Sequence, residues 1–204
     1  MNMPSLEGKR IGFGITGSHT TYHKVFPQIK RLMDEKAVVI PIVSNTVRTT
    51  DTKMGKAKDH IDTIEKLTGR RVISTIPEAE PLGPKEPLDC MVIAPLTGNS
   101  LSKLANAFSD SPVLFTAKST MRNQKPIILG ISTNDALGLN GVNLMKLMAS
   151  KYMYFIPYGQ DNPLNKPNSM ISNMDYLIDT VKAALKNKQL QPIIIPYTDK
   201  NVLE

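Results

Sequence analysis

Residues 89–110, DCMVIAPLTGNSLSKLANAFSD, constrain the fold more than any other stretch of the chain. Cys90, Met91, Val92, Ile93 and Ala94 form an unbroken apolar run, as a parallel strand requires when both faces of its sheet are covered. Leu101, Leu104, Ala105 and Phe108 then recur at i, i+3, i+4 and i+7, which is one apolar face of a helix. Between the two lie Pro95 and the polar tetrad Thr97-Gly98-Asn99-Ser100. A strand that breaks into small polar residues and opens a helix presents unpaired backbone N–H groups at a positive dipole end, and that is an anion site. Gly98 gives a ligand access to the backbone, while Thr97, Asn99 and Ser100 bring short donors and acceptors. The same letters also describe an ordinary turn with Asn99 or Ser100 as N-cap. Spacing alone does not separate the two.

The length of 204 residues suits one α/β domain. Its expected span is 9–190, with 1–8 and 191–204 as tails, the last pair, Leu203-Glu204, being of the kind that cloning leaves behind. No run of 18 apolar residues marks a membrane span, and the first nine residues lack the apolar core of a secretory signal. The single cysteine, Cys90, excludes an internal disulfide, suits a reducing cytoplasm and reads as a buried, inert thiol. The formal charge of +7 is spread along the chain with only 5% aromatic residues, so nothing marks a nucleic-acid surface. An anionic small molecule fits that charge equally well. No His/Cys/Asp/Glu set has metal-ligand spacing, so the expected metal is none, and no Ser-His-Asp or Cys-His set is placed by motif.

In chain order, residues 10–16 read as the first strand, followed by a loop at Gly17-Ser18-His19. Tyr22, Val25, Phe26, Ile29, Leu32 and Met33 trace a helix face, with Pro27 expected to kink that helix or mark its start. Gly12, Gly14 and Gly17 spell G-x-G-x-x-G, but the first two lie inside the strand and no carboxylate follows the second strand, so a dinucleotide site is rejected. Residues 38–43 are the second strand, where Pro41 predicts a local irregularity, and Ser44-Asn45-Thr46 stand at its carboxyl end. A helix ending at Gly69 and a short edge strand over 71–74 come next. Pro77, Pro81, Pro84 and Pro87 exclude regular structure until Leu88. Ser111-Pro112 starts a helix, 126–132 is a buried strand ending in Ser132-Thr133-Asn134-Asp135, and 152–156 is the last main strand. Residues 158–167 form a loop on the ligand side in which Tyr158 is the nearby phenol. The resulting fold class is α/β: a Rossmann-like open, mostly parallel sheet of order 3-2-1-4-5-6 with helices on both faces.

The segment from Ala94 to Ser100, followed by Lys103-Leu104-Ala105-Asn106, resembles the Pro-x-Ser-Ala-Asn-Thr…Lys-Leu-Ala signature of the flavoprotein superfamily. That group includes homo-oligomeric flavin-containing cysteine decarboxylases and flavin prenyltransferases, and the similarity runs from about residue 9 to about 185. More narrowly, residues 94–110 and 130–145 are similar to the B subunits of bacterial dipicolinate synthases. The resemblance implies FMN bound by Gly17, Ser18, Ser44, Thr97, Gly98, Asn99, Ser100 and Asn134, and self-association that completes the flavin site, with 77–87 and 158–167 as contributors. It also implies an A subunit resembling an NADP-dependent dehydrogenase, and a small dicarboxylate, a dihydrodipicolinate-type precursor, oxidised to dipicolinate in the mother cell of a spore former. Three departures matter, the first being that Ser132-Thr133-Asn134-Asp135 take the place of the decarboxylases' Pro-Ala-Met-Asn motif with Asn134 on the asparagine but without the Pro-Ala-Met. The decarboxylases' histidine has no counterpart in Glu80-Pro81-Leu82-Gly83-Pro84, and Gln160-Asp161-Asn162 replace the prenyl-phosphate loop. Asn134 and His19 are the catalytic candidates. A stand-alone FMN decarboxylase or prenyltransferase, and a non-catalytic partner of the A subunit, are the alternatives.

Overall fold

The computed structural model describes residues 5–197. The terminal pair Leu203-Glu204 lies outside them. Among the described residues, seven strands form one sheet: β1 Arg10–Ile15, β2 Val38–Val43, β3 Cys90–Leu96, β4 Ile127–Thr133, β5 Met153–Phe155, β6 Tyr158–Gly159 and β7 Met170–Ser172. The helices are α1 Tyr22–Asp34, α2 Asn45–Thr49, α3 Ala57–Thr68, α4 Ile76–Ala79, α5 Gly98–Ala105, α6 Pro112–Arg122, α7 Gly141–Met148 and α8 Leu177–Ala184.

The first five strands run parallel in the order β2-β1-β3-β4-β5. Side-chain alternation sends Ile11, Phe13 and Ile15 to one face, under α1 and α8. It sends Met91, Ile93, Leu129 and Ile131 to the other face, under α5, α6 and α7. Gly12 and Gly14 point to this second face too, where a Cβ would meet Leu88 Cδ1 at 2.5 Å and Val113 Cγ1 at 2.8 Å. They are packing glycines within the strand, not a phosphate turn.

The expected edge strand over 71–74 is reduced to one bridge, Ile73 to Ile42. The parallel part of the sheet thus keeps the expected order with its outermost member shortened. Pro41 supplies the reason. Its carbonyl accepts from Ile73 N–H (2.9 Å), so its missing donor faces that edge, while the register of β2 against β1 is unbroken. The irregularity expected at Pro41 lies instead between Ile93 and Leu96 in the β3–β4 register, around a cis Ala94–Pro95 bond. The hairpin β6–β7 is antiparallel and joins the carboxyl end of β4 through β7, where the letters suggest only a loop. Beyond residue 190, Ile195 N–H donates to the Tyr158 carbonyl (2.8 Å), so the described part of the C-terminal stretch lies along the hairpin. Leu6 is likewise buried in the core.

Three local expectations are corrected. α1 begins at Tyr22, so Pro27 does not mark its start but lies within it on the exposed side, where it withholds an N–H. The proline-rich stretch does hold a helix, α4, because Pro77 falls in its first turn and Thr75 and Glu78 form a capping box. α5 stops at Ala105. Ala107 adopts φ 62°, and the Phe108 N–H closes on the Lys103 carbonyl at 2.9 Å. Phe108 therefore leaves the apolar face and is 57% exposed.

Candidate functional site

The helix after β1 covers one face of the sheet and the helix after β3 covers the other, so the chain's direction reverses between these two neighbouring strands. A crevice opens at the carboxyl ends of strands at such a point. Here it has two lobes of about 430 Å³ and about 330 Å³ that share Gly17, Thr97 and Asn99. The larger also takes Ser18, Gly98 and Asn134, and the smaller takes Ser44 and Ser100. All eight residues singled out as cofactor contacts thus converge on one cleft.

Thr16 holds the two loops side by side. Its buried Oγ1 donates to the Pro95 carbonyl at 2.6 Å and accepts the Thr97 N–H at 3.0 Å. Ser18 Oγ and Ser132 Oγ, 2.8 Å apart, tie the first loop to the end of β4. Thr97 caps α5, its hydroxyl accepting from Ser100 N–H at 3.3 Å. The first helical bond runs from Leu101 N–H to the Thr97 carbonyl, so the Gly98 and Asn99 N–H groups have no partner within the helix. Thr16→Val preserves shape but strands a buried donor and a buried acceptor. A loss of about 2–4 kcal/mol is expected, read as a lower denaturation midpoint with an unchanged denaturant slope.

Two carboxylates that the sequence did not single out also line the larger lobe, Asp135 and Asp161, together with Lys166. Asp135 accepts from the Thr133 hydroxyl and from Asn140 Nδ2 (2.8 Å). Asn143 donates to Asn140 Oδ1 at 2.9 Å, extending the network toward α7. A Cβ on Gly98 would stand 2.5 Å from Thr133 Oγ1 and 2.8 Å from Asp135 Oδ1. Gly98 is therefore required by this network, whatever access it also gives a ligand. In the smaller lobe Lys103 pairs with Asp110 at 2.5 Å, and Ser44 Oγ is buried without a partner.

His19 lines neither lobe. Its Nδ1 lies 3.1 Å from the Gly17 carbonyl, which makes that nitrogen the donor, and its ring packs 5.0 Å from Tyr22 and 5.6 Å from His60. Burial, with His19 alongside, lowers the His60 pKa. Tyr158 sits in the core rather than in the ligand-side loop, and burial pushes its phenol up to about 12. Burial likewise pushes the Cys90 thiol up to about 12, which suits inert packing. Among the described residues no group of three or more His, Cys, Asp or Glu is placed to hold a metal ion, and no helix is long and apolar enough to cross a membrane.

Known proteins share this architecture. The B subunit of dipicolinate synthase from Bacillus subtilis (strain 168) is 61% identical over 193 residues, covering 95% of this chain and 96% of its own. The crystal structure of the dipicolinate synthase B subunit from Bacillus halodurans C superposes with a TM-score of 0.88 at 56% identity, over 96% of this chain and 100% of that one. The FMN-dependent cysteine decarboxylase SpaF shares the fold, with a TM-score of 0.65 at 18% identity over 89% of this chain and 98% of its own. A family model described as Flavoprotein matches residues 2–187, and the chain belongs to that family.

Proposed function

We propose that the chain binds FMN in the two-lobed cleft and acts as the B subunit of a dipicolinate synthase. With an NADP-using, dehydrogenase-like A subunit it would serve the oxidation of a dihydrodipicolinate-type precursor to dipicolinate, in the cytoplasm of a sporulating mother cell. The observation that carries the cofactor is the cleft wall itself. It is built mainly from neutral hydroxyls, amides and backbone N–H groups, and it includes the orphaned Ser44 Oγ. Such a wall fits a phosphate-bearing, otherwise uncharged group. Among the charged groups of the larger lobe are two carboxylates and one ammonium, whereas the smaller lobe has one of each. Ser44, Thr46, Ser100 and Lys103 of the smaller lobe would therefore hold the phosphate. When bound, FMN supplies a hydride or electron acceptor.

Lys166 is the one ammonium among the residues lining the larger lobe. It matches only one carboxylate of a dicarboxylate, which favours a site completed by another chain. The exposed Leu139 and Leu164, 92% and 89% accessible on the two loops beside the cleft, support association there, with a second copy as well as with the A subunit. Asn134 remains the catalytic candidate within the cleft. The stand-alone decarboxylase reading is disfavoured because His19 and His60 pack against Tyr22 and no histidine lines either lobe. The test is purification with and without the A subunit, an absorbance scan for flavin and an assay for dipicolinate. Flavin in this chain, product only from the pair, and loss of product with Asn134→Ala are expected. Release of carbon dioxide from a cysteine-terminated peptide by this chain alone would reverse the choice.

A further inference from the structure

The loop joining β6 to β7 closes the larger lobe with an ion pair that is only half used. Lys166 Nζ lies 3.8 Å from Asp161 Oδ2, and both residues line the lobe. Asp161 Oδ1 is buried and has no hydrogen-bond partner. A buried acceptor left without a donor is costly, more so when it is charged, and folded chains rarely keep one without a reason. Lys24 of α1 also lies within electrostatic reach of Asp161 and of Asp175, its own pKa being lowered chiefly by burial. One ammonium group thus pairs with the carboxylate and a second acts on it through space, yet one oxygen still lacks a donor. The last torsion of an aspartate is broad, so that oxygen can turn into the cavity without backbone movement.

Building on the FMN and dicarboxylate reading above, we propose that Asp161 and Lys166 together recognise an N–H group flanked by an anionic or carbonyl oxygen. Asp161 accepts the N–H and Lys166 donates to the neighbouring oxygen. Two molecules of the proposed reaction carry that pattern: the imide edge of the flavin ring, and a dihydropyridine dicarboxylate in its 1,2- or 1,4-dihydro tautomer, whose ring N–H adjoins a carboxylate, unlike the 2,3-dihydro imine. The aromatic product offers no ring N–H at neutral pH. Where the dicarboxylate is the ligand, Asp161 therefore favours the reduced ring over the product.

The experiment is calorimetric titration of the full chain with FMN, and of the chain with FMN added, with piperidine-2,6-dicarboxylate, whose ring nitrogen donates N–H as a secondary ammonium at neutral pH, and with pyridine-2,6-dicarboxylate, which has no ring N–H. Asp161→Ala and Lys166→Met are compared with the unmutated protein, and thermal melts establish that each variant is folded. Asp161→Ala is expected to weaken at least one N–H-bearing probe tenfold or more, with Lys166→Met weakening the same probe. A loss confined to FMN assigns the pair to the flavin, and a loss confined to the piperidine assigns it to the substrate. Unchanged binding of both N–H probes, weakening of the pyridine probe by Asp161→Ala equal to that of the N–H probes, or no binding of either N–H probe to the unmutated chain overturns the inference. If the unmutated chain ignores FMN but binds the piperidine through Asp161, the cofactor reading fails and this one stands.

Discussion

Ser44→Asp should lower FMN affinity by two orders of magnitude or more while leaving the melting temperature unchanged or slightly raised. Ser44 is the N-cap of α2, with an extended backbone and no side-chain capping bond, and its Oγ is buried and unpartnered in the smaller lobe. Aspartate is among the best N-cap residues, so the helix start tolerates the change. A phosphate in that lobe does not. Two like charges about 4 Å apart repel by about 4 kcal/mol at an effective dielectric constant near 20, and salt reduces this only in part. The remainder corresponds to a hundredfold or larger loss. Ser44→Ala removes one hydrogen bond and should cost tenfold or less. Flavin fluorescence titration reads both variants. Ser44→Asp binding FMN as tightly as the unmutated chain would remove the phosphate from this lobe.

Gly98→Ala should destabilise the fold even before any ligand is considered. The added methyl group would stand 2.5 Å from Thr133 Oγ1, 2.8 Å from Asp135 Oδ1 and 3.0 Å from Asn140 Nδ2. These atoms belong to one hydrogen-bonded set, so none can retreat without breaking another contact. Overpacking of this kind costs about 1–3 kcal/mol, which lowers the melting temperature by about 2–12 °C in a chain of this size. FMN affinity should fall as well, since Thr97 and Asn99 on either side of Gly98 line both lobes. A Gly98→Ala protein that melts like the unmutated chain would show that the end of β4 yields freely. A shift in melting without FMN separates this structural demand from the access that glycine gives a ligand.

The central strand–turn–helix was legible because its causes are local. All seven residues of β3 are buried, and a helix follows at once, although its N-cap is Thr97 and not Asn99 or Ser100 as the letters suggest. Gly69 ends α3 with φ 65°, and Ser111 caps α6 ahead of Pro112, as the letters imply. The parallel order followed from apolar runs alternating with helical periodicity, and the eight cofactor candidates followed from residues at strand ends. What the letters did not contain was direction and distant company. His19 adjoins the first loop in sequence, but its ring turns toward Tyr22 and His60, the latter brought there by α3. Tyr158 reads as a loop phenol, yet pairing of β6 with β7 places it in the core. Asp135 and Asp161 lie 26 residues apart in the numbering and meet in one lobe only because β7 joins the end of β4. Local periodicity determined most of the elements and the end of the sheet where the cleft opens. Tertiary packing alone decided which side chains face it, because side-chain direction after a strand depends on contacts with residues far along the chain.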